Sequence, residues 1–339
     1  MDAEPAAGPH RRNRGHQREG ALDLCSRPVR GAQEDPRGPF LMRSQHRADR
    51  VERNWKLGGG MLDLPGPPRY RMTAAPLVQA LVQVRFPIIA RLQTIEGAAG
   101  VQQALGPRFP HLTQSVVQQV SMMVGPAGPA APQAEQSVVY ELSSDDGWTL
   151  ALTVNSATLS IGPDYAGIDD FVIRFGEVCE ALASAGVGRC DRLGVRYLDL
   201  VEIGPDAVGW ETWFRPECVG VAAPQLSRDS LTSSMTETRL TQEPEGAFAA
   251  FQTPIEGILR HGVVPAGSLL AGVPPRPVTE RAFVFEMDTF LTAQQPFDVA
   301  ALPEQFRALH TEIEKVFHWA VTDAGKDRFG YQQIGEGEA

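Results

Sequence analysis

Three groups of residues in this 339-residue sequence have types and spacings that could do chemistry. The first is Arg192, Arg196, Tyr197 and Asp199, in the run RLGVRYLD. On an extended chain the two arginines fall on one face, about 13 Å apart along the strand. With Arg85 on a neighbouring strand they could line a site for a small anion, because the guanidinium fork matches carboxylate and phosphate. The same arginines could instead pair with Asp199, Glu202 or other sheet carboxylates in a structural network.

The second group is His310, Glu314 and His318, which recur every four residues and so share one face of a helix. Two such neighbours could bind a metal, but a third ligand would have to come from another element, and the sequence supplies none. Arg307, Thr311 and Lys315 accompany them, as on a solvated face. The third group is Trp210, Trp213 and Phe214. It reads either as an aromatic surface for a ligand or as the means of docking a long connection onto the core.

Other signals are negative. There is no GxSxG, no HExxH, no kinase set and no zinc quartet. Gly97-Ala-Ala-Gly100 lacks the Lys-Ser/Thr of a phosphate loop. Cys25, Cys179, Cys190 and Cys218 form no CxxC pair and suit no disulfide scaffold at this length, so a reducing cytoplasm is expected. Cys179 and Cys190 read as small buried hydrophobes, since thiol catalysis would need a positioned His. No catalytic residue, metal or cofactor is assigned.

The elements that position the arginines lie in residues 147–203. Trp148, Leu150, Leu152 and Val154 alternate with polar or small residues, as do Ala157, Leu159 and Ile161, which predicts a hairpin. Ile168, Phe171, Val172, Phe175, Val178 and Leu182 trace one helical stripe, stopped by Gly186 and Gly188. Leu193, Val195 and Tyr197 then alternate with Arg192, Gly194 and Arg196 as a strand.

Upstream, residues 76–86 predict a strand with a polar second face, 95–105 a short helix, and 116–124 and 137–142 two strands joined by a Pro/Ala-rich loop. Downstream, 233–241, 247–253 and 282–288 predict strands, and a second stripe from Phe306 through Ala320 predicts a helix over about 302–323. Residues 254–281, rich in Gly and Pro, resist assignment. Strands followed by one long helix, twice over, give the expected fold. It is an α+β domain with a broad antiparallel sheet and two long helices on one face, pseudo-duplicated like the TATA-binding and helix-grip architectures.

Expected boundaries are 1–71 for a disordered basic tail or a spurious upstream extension with translation starting at Met61 or Met72. A single domain over 74–332 follows, with halves 76–204 and 230–331, and then a disordered end at 333–339. The formal charge of -10 is uneven. Residues 1–60 carry 12 Lys and Arg against 8 Asp and Glu, and the remainder 19 against 33. An acidic folded part disfavours nucleic acid, because its field repels a phosphate backbone. No apolar run approaches the roughly 18 residues of a membrane span.

Taken as a set, four motifs resemble a sporadically distributed bacterial family of unknown function. They are PLVQALVQVRFP at 76–87, WTLAL at 148–152, RLGVRYLD at 192–199 and LHTEIEKVFHWAVTD at 309–323. The resemblance spans roughly residues 74–331 and implies a start near Met72. Its first strand often carries Glu where this chain has Gln79 and Gln83. No activity or cofactor comes with it, and its patchy distribution implies a link to mobile or defence genes. The expected function is a non-catalytic cytoplasmic module for a protein partner or small anionic ligand, with homo-oligomerisation left open. The alternatives are an enzyme acting on a phosphorylated or nucleotide substrate at the arginines, and a nucleic-acid-binding sheet protein.

Overall fold

The computed structural model describes residues 61–121, 124–125, 128–129, 133–202, 209–223, 231–270 and 278–334. The main elements are β1 (Tyr70–Met72), β2 (Leu77–Arg85), α1 (Ile95–Leu105), β3 (His111–Ser121), β4 (Gln133–Ser143), β5 (Trp148–Leu152), β6 (Ser156–Ile161), α2 (Ile168–Ser184), β7 (Arg192–Glu202), β8 (Ser234–Gln242), β9 (Ile255–Val264), β10 (Ala282–Leu291), α3 (Ala301–Ala320), α4 (Asp323–Arg328) and β11 (Tyr331–Gln333).

Nine strands form one antiparallel sheet in the order β8-β9-β10-β7-β2-β6-β5-β4-β3. The register carries one apolar face across it. Leu150 lies opposite Leu159, Leu159 opposite Val82, Val82 opposite Val195, and Val195 opposite Thr289. All five are buried, because the period-two pleat sends them to the side that the helices cover. The helices α2 and α3 pack on that side and meet through aromatic edges. Phe306 lies 4.9 Å from Phe171 and 5.5 Å from Phe175, and Phe171 reaches Trp148 of β5 at 4.9 Å. The fold is therefore α+β, with a broad antiparallel sheet and two long helices on one face. A duplication is not established by the strand order: the first half supplies six sheet strands and the second half three.

Several boundaries differ from expectation. Met61 is buried, and its backbone N–H donates to Glu312 Oε2 (3.0 Å). Strand β1 pairs with β11, and Ile334 N–H donates to the Arg69 carbonyl. Residues 61–73 and 333–334 thus belong to the fold, beyond the expected limits of 74 and 332. The expected tail at 1–60 and the expected end at 335–339 lie outside the described residues.

Strand β3 begins at His111 rather than 116, and β4 at Gln133 rather than 137. Residues 247–253 form no strand; the strand is Ile255–Val264, inside the unassigned region. Gly257 and Gly262 disguise it. At Gly262 φ is +154° and a Cβ would stand 1.9 Å from the Ser234 carbonyl oxygen, so no other residue fits beside β8. The last helix stops at Ala320, short of Asp323, because Thr322 starts α4 as its N-cap, accepting from Gly325 N–H (3.0 Å).

Candidate functional site

The sheet face away from the helices is where the expected arginines meet. Antiparallel pairing sets Arg192 directly opposite Arg85, and Arg196 between Leu81 and Asp288. Gly194 lies between Gln83 and Phe290, and Gln83 in turn lies opposite Thr158. Leu81, Gln83, Arg85, Thr158, Arg192, Gly194, Arg196 and Asp288 line a concavity of about 420 Å³.

Gly194 is what lets the floor form. A Cβ there would stand 2.6 Å from Arg192 Nη1, so the missing side chain leaves room for Arg192 to lie along the sheet. The guanidinium stacks over the Phe290 ring at 4.2 Å. Its Nη1 donates weakly to Gln83 Oε1 (3.5 Å), and Gln83 Nε2 donates to Thr158 Oγ1 (3.0 Å). The nearest carboxylate, Asp288 Oδ2, stands 3.9 Å from Nη2. At that length Arg192 keeps donor capacity for another acceptor.

Arg196 is held more closely. Its Nη2 donates to Glu286 Oε2 (2.7 Å), while Arg260 Nη1 donates to Glu286 Oε1 (2.5 Å) and Arg260 Nε to Glu237 Oε2 (2.8 Å). Arg239 closes the row on Glu237 (2.9 Å). The two readings of the arginines therefore divide by residue: Arg196 belongs to an ion-pair network, while Arg85 is exposed and Arg192 only loosely paired. Burial pulls Arg192 down from its ordinary pKa, and it pushes Asp288 up despite Arg192 and Arg196 beside it.

Tyr197 does not join this site. It points to the helix side, where its hydroxyl donates to the Tyr165 hydroxyl (2.9 Å) and its ring lies 5.0 Å from His310. The expected solvated face of the last helix is also corrected, for His310 is 4% exposed and Glu312 is buried. The amphipathic stripe extends far enough around α3 to carry both under cover. Burial lowers His310 to about 3 and raises Glu314 to about 7. His310 Nδ1 lies 3.6 Å from Glu314 Oε2. Among the described residues no group of three His, Cys, Asp or Glu comes together to hold a metal ion.

Asp199 is 6% exposed on this covered side, and burial alone raises it to about 8. Sequence reasoning grouped it with the arginines, yet it lies two residues from Tyr197, and the pleat already sends it to Tyr197's side. Glu286, Asp288, Phe290 and Gln83 were missed as parts of the open site. Only Gly194, a glycine inside a strand pattern, signalled a close approach there.

Of the two readings of the aromatic group, docking fits the structure and an exposed aromatic surface does not. Trp210, Trp213 and Phe214 are all buried. Phe214 packs on Phe283 at 4.8 Å, and Trp210 Nε1 donates to the Val201 carbonyl (3.2 Å), so the cluster docks the connection after β7 onto the core. Cys179, Cys190 and Cys218 are buried with raised pKa values, as inert small hydrophobes are. No described helix is long and apolar enough to cross a membrane. No protein-family model matches the chain, and no curated protein matches it.

Proposed function

We propose that this chain is a non-catalytic binding module whose open sheet face takes a small anionic ligand, a carboxylate or a phosphate. One observation carries the reading: three arginines and a single carboxylate line one concavity, in a chain whose formal charge is -10. A local excess of positive charge on an acidic protein selects small anions, while the long-range field turns away a polyanion such as nucleic acid. Arg85 and Arg192 are the contacts, and Arg196 with Glu286 fixes the floor. Thr158 and Gln83 add neutral hydrogen-bonding groups that orient a planar or tetrahedral oxyanion. The resemblance noted in the sequence adds no ligand and no activity to this reading.

Isothermal titration of the full chain with inorganic phosphate, at low ionic strength, tests the proposal. The expected result is saturable one-site binding that Arg192→Gln weakens by roughly tenfold or more, the value of one charge-assisted contact. Equal binding by wild type and the Arg85→Gln/Arg192→Gln double variant would remove the site.

A second reading, an enzyme working on a phosphorylated substrate at the same arginines, draws on Asp288. Its burial-raised carboxyl beside three guanidiniums is the kind of group that moves protons. Turnover of a phosphate ester that Asp288→Asn abolishes, with binding retained, separates this reading from the first.

A further inference from the structure

The sheet has two ends, and among the described residues only one of them is protected. Edge strand β8 carries Glu237 and Arg239, with Arg260 of β9 tied to Glu237. Charges along an edge discourage another strand from pairing there, because they would lose water on contact. Edge strand β3 has only His111, at its first position, beside Asp145 (3.1 Å). From Leu112 to Gly125 the sequence LTQSVVQQVSMMVG contains no charged residue and no proline.

Nor does a bulge turn β3 aside. It pairs with β4 in one unbroken register, from His111 opposite Ser143 to Ser121 opposite Gln133, and no described strand lies on its outer side. Val116 is 60% exposed and Val117 48%. Adjacent strand residues point to opposite faces, so apolar side chains stand uncovered on both faces of the edge. A long, unbulged strand without Lys, Arg, Asp or Glu, with two valines exposed, is the description of a pairing strand.

We propose that β3 is the seam of a homodimer, in which a second copy pairs its own β3 antiparallel across a twofold axis and joins the two sheets. A second copy is the fitting occupant for two reasons. The chain past residue 60 carries 33 acidic against 19 basic residues, so two copies repel over most of their surface and least along a neutral strand. The strand is also compatible with itself. An axis through Val117 sets that valine against its own symmetry mate, with Thr113 and Ser115 opposite uncharged residues. An axis through Val116 does the same, with Gln114 beside it.

Sedimentation velocity of the full chain over a range of concentrations reads the dimer directly. Val117→Lys or Val116→Lys, whichever lies on the axis, opposes two like charges and is expected to raise the dissociation constant roughly 100-fold. Val221→Lys, at a position 54% exposed elsewhere, is expected to leave it unchanged. Circular dichroism confirms that each variant is folded. In a Cys25→Ser background, Val117→Cys or Val116→Cys is expected to form a disulfide-linked dimer under mild oxidation, since the three remaining described cysteines are buried. A wild type that sediments as a monomer throughout overturns the proposal. So does a dimer that survives both lysine variants, or one in which neither cysteine cross-links.

Discussion

On the open face of the sheet, ionisable side chains are mostly paired with opposite charges or exposed, with Asp288 pushed up by burial as the exception; on the covered face, they are driven towards neutrality. Arg196, Glu286, Arg260 and Glu237 form a continuous row of opposite charges on the open side. Behind the same strands, burial holds Asp199 at about 8, Glu314 at about 7 and His310 at about 3. Strand β7 feeds both populations, Arg192 and Arg196 one way and Tyr197 and Asp199 the other. The difference teaches where to look for a ligand. A face that keeps its charge can bind an anion, whereas a face that suppresses charge is held together by packing and hydrogen bonds.

Matched truncations on the two faces should differ most. Phe306→Ala, which removes the ring joining α2 to α3, is expected to cost about 3–5 kcal/mol by chemical denaturation. Leu81→Ala on the open face should cost under about 1 kcal/mol. Equal losses would mean that the open face is covered in solution.

Acid-base behaviour gives the next effect. Asp199's folded pKa lies above its ordinary value, so the folded state holds a proton that the unfolded chain has already released. Stability therefore falls as pH rises, until about 8. His310 acts in the opposite sense, but below its ordinary range near 6.5, which leaves the interval above that to the carboxylates. Between pH 6.5 and 8 Asp199 should cost ~2 kcal/mol, and Asp199→Asn should flatten the slope of melting temperature against pH. An unchanged slope would place a counter-charge beside Asp199.

Glu286→Gln tests the network that separates the two arginines. Glu286 is itself buried while Arg196 and Arg260 are part-exposed, so removing the carboxylate they share is expected to cost about 2 kcal/mol, and to strengthen phosphate binding severalfold. The smallest change is Gln83→Glu. It should leave stability within about 0.5 kcal/mol, yet weaken phosphate binding severalfold by supplying Arg192 with a carboxylate.

Much of the framework was legible in the sequence because it is periodic. The stripe of Phe171, Phe175 and Val178 and the alternation of Leu193, Val195 and Tyr197 each state which side is buried. Strand β9 was not legible, since Gly257 and Gly262 answer to neighbours distant in sequence: Met61 Sδ in one case, the Ser234 carbonyl in the other. The three arginines could be named early because Arg192 and Arg196 share a strand face. Their partners Glu286 and Asp288 come from a strand some 90 residues further on, and only the sheet order brings them alongside. His310 read as solvated because charged neighbours surround it in sequence, while the sheet packs against it in space.

Amide NMR of the full chain during phosphate titration locates binding residue by residue. The expected result is a set of saturable shifts centred on Gln83, Thr158, Gly194 and Asp288, lost in Arg192→Gln. Shifts confined to the helix side, or none at phosphate concentrations that saturate the titration heat, would contradict an anion site on the open face.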